Sequence, residues 1–220
     1  MSEMMSFKRY LTDNYPRACQ LQRDIVEDAT VKAALRNNSL DVALVTSWMT
    51  HYNLFQGRTT DQRRRVAMRF LRFAKDADKR ANLADRKVLQ AAYAKLFRAL
   101  YDEVNRSWMS ATSKLLWCIY PDTVAIYDSF VERALIVMQV LDDGLARFPR
   151  IGSPPSVKSV EDIAGATAYY LNYSDMVRHL FERHTGTLNK LRKQYNESYP
   201  HDIRIIDKML WMIGSSRKSV

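Results

Sequence analysis

Glycine, proline and cysteine are all scarce in this 220-residue chain, at 6, 6 and 2 residues. So few turn formers could not serve the many reversals of a sandwich or barrel of short strands, and an all-α fold is expected instead. The two cysteines, Cys19 and Cys118, have no His or Cys at metal-ligand spacing. That pattern argues against a zinc site and against a disulfide framework, and no metal or cofactor is expected. No apolar run approaches the roughly 18 residues of a membrane span. The opening MSEMMSFKRYLTDNYPR carries charges every few positions where a signal peptide needs an apolar stretch. These absences together give the expectation of a soluble, cytoplasmic protein without a membrane partner. With 47% hydrophobic residues the chain has the material for a core, and single cores serve chains of up to roughly 250 residues.

Acidic residues are also in short supply: 24 Asp and Glu face 34 Lys and Arg, for a net charge of +10. The imbalance is local. Between Leu54 and Leu100 lie 13 Lys and Arg and 4 Asp, a surplus of +9. The densest part, TTDQRRRVAMRFLRFAKDADKR, places Val66, Phe70 and Phe73 on one helical face and Arg65, Arg69 and Arg72 on a parallel stripe. With Arg63 and Arg64 beside them, these arginines are the expected nucleic-acid-binding residues, because a concentrated positive field calls for a polyanion. Nucleic acid is the leading candidate for that partner, and an anionic membrane surface is second.

Helical patterns fill the rest of the chain. One is expected to start at Pro16 and cover RACQLQRDIVEDATVKAALRN, and another to start at Ser39 and Asp41. A third runs from Leu83 to Glu103 with Val88, Ala92, Leu96 and Leu100 on one side, and a fourth covers Trp108 to Ile119. A helix begins at Asp128 and includes SFVERALIVMQVLDDGLARF. The Pro-, Gly- and Ser-rich stretch near residues 149–159 is irregular; it reads as a surface loop, although two lobes could divide there. Ser159 and Asp162 are expected to cap the next helix. The last, DIRIIDKMLWMIG, closes on Gly214 and buries Ile203, Ile206, Leu210 and Ile213. One domain over residues 1–220 is the resulting expectation.

The stretch Ser107 to Leu135, SWMSATSKLLWCIYPDTVAIYDSFVERAL, holds the pair with a chemical rationale. Lys114 stands among Leu115, Leu116, Trp117 and Ile119, where lost hydration makes its neutral amine more accessible and hence nucleophilic. Asp128 stands at a helix start, where backbone N–H groups and the helix dipole favour the carboxylate. The two are 14 positions apart, on helices joined by a short connection.

This segment resembles the catalytic region of the helix-hairpin-helix DNA glycosylase superfamily, and in particular its divergent bacterial 8-oxoguanine DNA glycosylase-fold members. Lys114 matches the lysine of that pattern, and Asp128 in YDSFVERAL matches its aspartate, with Val131 and Arg133 following at suitable offsets. The closing RIIDKMLWMIG resembles the last helix of the fold. The resemblance implies a compact two-lobed helical fold and a protein that extrudes and excises a damaged or modified base, in repair or in defence against foreign DNA. It further implies a nucleophilic Lys114 capable of Schiff-base lyase chemistry, and an Asp128 that stabilises positive charge on the sugar. Trp108 and Trp117 would be the wedge or pocket aromatics. Met109 to Ser113, MSATS, corresponds to the hairpin and lacks the family's glycines, so Ser110 and Ser113 would supply hydroxyls to a phosphate.

Two other readings come from the same sequence. RHLFERH, with Arg178 and His184 six positions apart and His179 between them, resembles the motif of HEPN-type ribonucleases. The glycine-free hairpin also suits a non-catalytic nucleic-acid-binding protein of the glycosylase fold.

Overall fold

The structure, a computed structural model, describes residues 6–23, 25–197 and 199–216. The opening MSEMM read for a targeting signal lies outside the described residues, as does Asp24 in the helix expected from Pro16. Ten helices and no strand occur among the described residues. They are α1 (Phe7–Arg23), α2 (Val26–Arg36), α3 (Val42–His51), α4 (Thr60–Asp76), α5 (Arg86–Val104), α6 (Met109–Ile119), α7 (Ser129–Leu141), α8 (Asp143–Ala146), α9 (Ile163–Gln194) and α10 (Asp202–Ser215). The fold is all-α, and no helix is long and apolar enough to cross a membrane.

Local chemistry accounts for most helix starts. Asp41 caps α3 by accepting the Leu44 N–H at 2.8 Å, and Asp85 accepts from Lys87 and Val88 at the start of α5. Thr59 and Gln62 form a reciprocal capping box ahead of α4. Packing centres on two helices. Helix α10 lies against α7, α1 and α9, while α5 lies against α4, α6 and α9, so the long α9 belongs to both groups. One hydrophobic cluster draws residues from all ten helices.

Several expectations are corrected. Pro16 lies inside α1, which begins nine residues earlier at Phe7, and the stretch expected as one helix is divided between α1 and α2. Proline removes one intrahelical bond, but Leu11, Tyr15, Ala18 and Cys19 around it are fully buried, so tertiary packing outweighs the local defect. On α5 the buried stripe is Leu89, Tyr93, Leu96 and Leu100; Val88 is exposed. Helix α7 ends at Leu141, because Asp142 takes an extended conformation and starts α8 by accepting the Gly144 N–H. Asp162 precedes α9, but its carboxylate turns back to the N–H groups of Lys158 and Ser159. Gly214 does not end α10. It is a helical residue pressed against Phe130, and all of Ile203 to Asp207 is buried while Ile213 is half-buried, because α10 is enclosed by its neighbours.

Candidate active site at the helical hairpin

Helices α5 and α6 form a hairpin. Asn105 ends α5 in the left-handed conformation, with φ of 46°, which an asparagine tolerates. The chain turns through Asn105–Trp108 and enters α6 at Met109. Met109 to Ser113, expected as the hairpin itself, is therefore the first part of α6.

Lys114 is 5% exposed on α6. Its ammonium donates to the Ser110 hydroxyl at 2.7 Å, one helical turn earlier, and lies 5.4 Å from the centre of the Tyr52 ring. Burial lowers its pKa to about 8, against the raising influence of the Asp128 charge. Asp128 caps α7 by accepting the Phe130 N–H at 2.9 Å. The two residues interact through space as opposite charges, while the lysine's hydrogen bond goes to Ser110 and the aspartate's to its own helix.

Ser110 also lines a cleft of about 370 Å³. Asn53, Leu54 and Gln56 come from the α3–α4 connection, Arg106 to Met109 from the hairpin, and Tyr127, Pro154 and Pro155 from two further segments. The hydrogen-bond partner of the Lys114 amine is thus a residue of the cleft wall. Asp128 immediately follows Tyr127, whose phenol donates to Glu132 and is held protonated by burial and that carboxylate. Among the expected pocket aromatics, Trp108 lines the cleft and packs on Phe55 at 6.0 Å. Trp117 does not. It is fully buried between the Lys32 ammonium at 4.5 Å and the Arg204 guanidinium at 5.5 Å. Ser113 is equally enclosed, donating to the Ser110 carbonyl and accepting the Tyr127 N–H at 2.9 Å.

The basic helix lies beside the hairpin. Arg65 and Arg69 of α4 donate to the two oxygens of Glu103, at 3.0 and 2.6 Å, just before the hairpin turn. Arg65 also pairs with Asp61. Arg63 donates to the Arg58 carbonyl and covers Phe55, linking the start of α4 to the Trp108 wall of the cleft. Arg64 and Arg72 are exposed on the same helix. Two of the three stripe arginines therefore also serve to bind α4 to α5.

Behind Lys114 lies a charged network that patterns of single residues did not reveal. Asp28 of α2 accepts from Trp48 at 2.8 Å, from Tyr52 at 2.8 Å and from Gln22 at 3.1 Å. Arg204 and Asp207 of α10 form a buried ion pair. Burial raises the Asp207 carboxyl, against the pull of Arg204, and it lowers Lys208 to about 8, with Arg204 adding to the effect. The available signal was three charges, Arg204, Asp207 and Lys208, in the otherwise apolar RIIDKMLWMI run.

Arg178 and His184 are not brought together. Arg178 donates to the backbone carbonyls of Leu83, Ala84 and Thr123. His184 is 7% exposed, lies against Phe7, and lines a larger cavity of about 870 Å³ to which none of the Lys114 cluster contributes. Burial keeps its imidazole neutral. The smaller cleft is lined by Ser110, the hydrogen-bond partner of the Lys114 amine, whereas the larger is lined by His184. No group of three His, Cys, Asp or Glu suited to a metal occurs among the described residues. Comparison with family models, with curated proteins and with solved structures gave no match.

Proposed function

We propose that this protein binds DNA through α4 and the α5–α6 hairpin, and excises a damaged or modified base with Lys114 as the amine and Asp128 as the charge stabiliser. One observation carries the reading: a buried lysine with a pKa of about 8 is hydrogen-bonded to Ser110, a residue that lines a cleft. At neutral pH an appreciable share of such an amine is unprotonated and able to attack. The cleft suits an extruded nucleotide, with Trp108 as a flat wall and Asn53 and Gln56 as polar side chains at its rim. Arg64 and Arg72 would meet phosphates directly, and Arg65 and Arg69 would do so while bound to Glu103. The buried Cys19 and Cys118 are thiols rather than a disulfide, which suits a reducing compartment such as the cytoplasm.

In this scheme the Asp128 carboxylate stabilises positive charge on the sugar as the bond to the base breaks. Neutral Nζ of Lys114 bonds to C1′, and on an abasic sugar the aldehyde oxygen departs as water, taking one proton from the amine and one from solvent and leaving an iminium ion. That iminium acidifies C2′–H; loss of the proton breaks the C3′–O bond and releases the 3′ phosphate. Ser110 must give up its hydrogen bond for Nζ to reach the cleft.

Borohydride reduces such an iminium to a stable amine. The expected result is a covalent complex with abasic-site DNA that disappears in Lys114→Gln. Unchanged trapping in that variant excludes Lys114 as the nucleophile, and tight, salt-sensitive binding with no adduct leaves a DNA-binding protein without this chemistry.

A further inference from the structure

The connection that delivers Asp128 has no regular structure, although Val124 to Tyr127 are buried. Extended backbone inside a protein has to place its polar groups with partners. Here those partners are side chains, three of them from one helix. Arg178 donates to the Thr123 carbonyl at 3.0 Å, Tyr170 to Ala125 at 2.8 Å and Tyr173 to Ile126 at 2.7 Å. From α6, Ser113 accepts the Tyr127 N–H at 2.9 Å. Four of the five residues leading into Asp128 are thus held one by one.

The clamp is itself fixed. Tyr170 and Tyr173 are fully buried. Tyr170 stacks on Tyr93 with ring centres 3.9 Å apart, and the Tyr173 ring meets Tyr127 edge-on at 5.2 Å. Both phenols remain protonated donors, because burial raises their pKa values. Tyr127 lines the cleft and is the residue before Asp128, so the ladder ends where the candidate chemistry begins.

We infer that Tyr170, Tyr173 and Arg178 are positioning residues for Asp128, with α9 serving as the rigid rail that sets where the carboxylate stands relative to Lys114. The inference builds on the roles proposed above for Asp128 and Lys114. It also gives Arg178 a task that explains why its guanidinium is committed to backbone carbonyls. A displacement of about 1 Å at a reacting centre is enough to cost about a hundredfold in rate.

Tyr173→Phe keeps the ring and its packing and removes only the hydroxyl. The test measures the rate of borohydride-trapped adduct formation on abasic-site DNA against pH, together with affinity for the same DNA. Compared with wild type, Tyr173→Phe is expected to trap about tenfold more slowly at the plateau, in line with the loss of a group that orients a reacting residue. Affinity stays within about twofold, since no phosphate contact changes. The midpoint of the pH profile also moves to lower pH, because Asp128 is the main charge holding the Lys114 pKa up. Tyr170→Phe is expected to behave in the same way. An unchanged plateau and midpoint in both variants overturns the positioning role while leaving the Lys114 chemistry in place. No adduct from wild type at any pH overturns that chemistry and this inference with it.

Discussion

Gly214 of α10 approaches Phe130 of α7 so closely that a Cβ on the glycine would stand 1.8 Å from the Phe130 carbonyl oxygen. Phe130 supplies the N–H that Asp128 accepts. The central helix is therefore seated directly against the turn that holds the proposed carboxylate, and a single missing methyl group makes that seating possible.

Gly214→Ala is accordingly expected to destabilise the fold by about 3 kcal/mol or more, at or above the upper end for overpacking, because the clash is with backbone. Urea unfolding reads this as a lower midpoint. A stability equal to wild type would mean that α10 and α7 are less tightly apposed than described.

Asp128→Ala removes a helix cap as well as a charge. The cap contributes about 1 kcal/mol, so the variant should remain folded while forming adduct with abasic-site DNA far more slowly. Wild-type trapping rates in a folded variant would reduce Asp128 to a cap.

Lys114 links stability to pH. In the fold its pKa is about 8, against an ordinary value of 10.5, so the unfolded chain holds the proton more tightly. Stability due to this group therefore rises with pH between those two values, and the cost of the buried ammonium is fully present below about 8. The difference corresponds to about 3 kcal/mol. Lys114→Met should melt above wild type at pH 7, with the gap closing towards pH 10. A gap that does not change with pH would contradict a buried, easily deprotonated amine.

Glu103 offsets part of the positive charge that Arg65 and Arg69 present on α4. Glu103→Gln should free Arg69 and leave Arg65 paired with Asp61 alone, raise DNA affinity, and steepen the dependence of log affinity on log salt by about 1. Arg72→Glu should weaken binding across all sequences alike. If both variants bind as wild type does, α4 is not the DNA-facing surface.

Much of this was legible in the chain itself, where local chemistry decides. Asp41 and Asp128 each accept backbone N–H groups at a helix start, and those bonds need only a few neighbouring residues. The spacing of Ser110 and Lys114, one turn apart, already allowed their hydrogen bond. What sequence patterns did not reveal depends on distant partners. Trp117 looked like a pocket aromatic, but Lys32 and Arg204 enclose it from two other helices. Arg178 looked like half of a catalytic pair, yet its partners are carbonyls of residues 83, 84 and 123. Pro16 looked like a helix start because the local penalty was visible and the burial of Leu11, Tyr15 and Ala18 was not. Arg204 and Asp207 stand at i, i+3 and could be paired from spacing, but their approach to Asp28 could not, since α2, α3 and α10 converge only in the folded chain.

The central claim concerns which amine reacts, and the half-buried Lys208, also lowered to about 8, is the natural competitor. Peptide mapping of the borohydride-reduced complex with abasic-site DNA locates the bond directly. The account predicts a secondary amine on Lys114, formed faster as pH rises through about 8. An adduct on Lys208 or elsewhere, or no adduct at any pH, would contradict it.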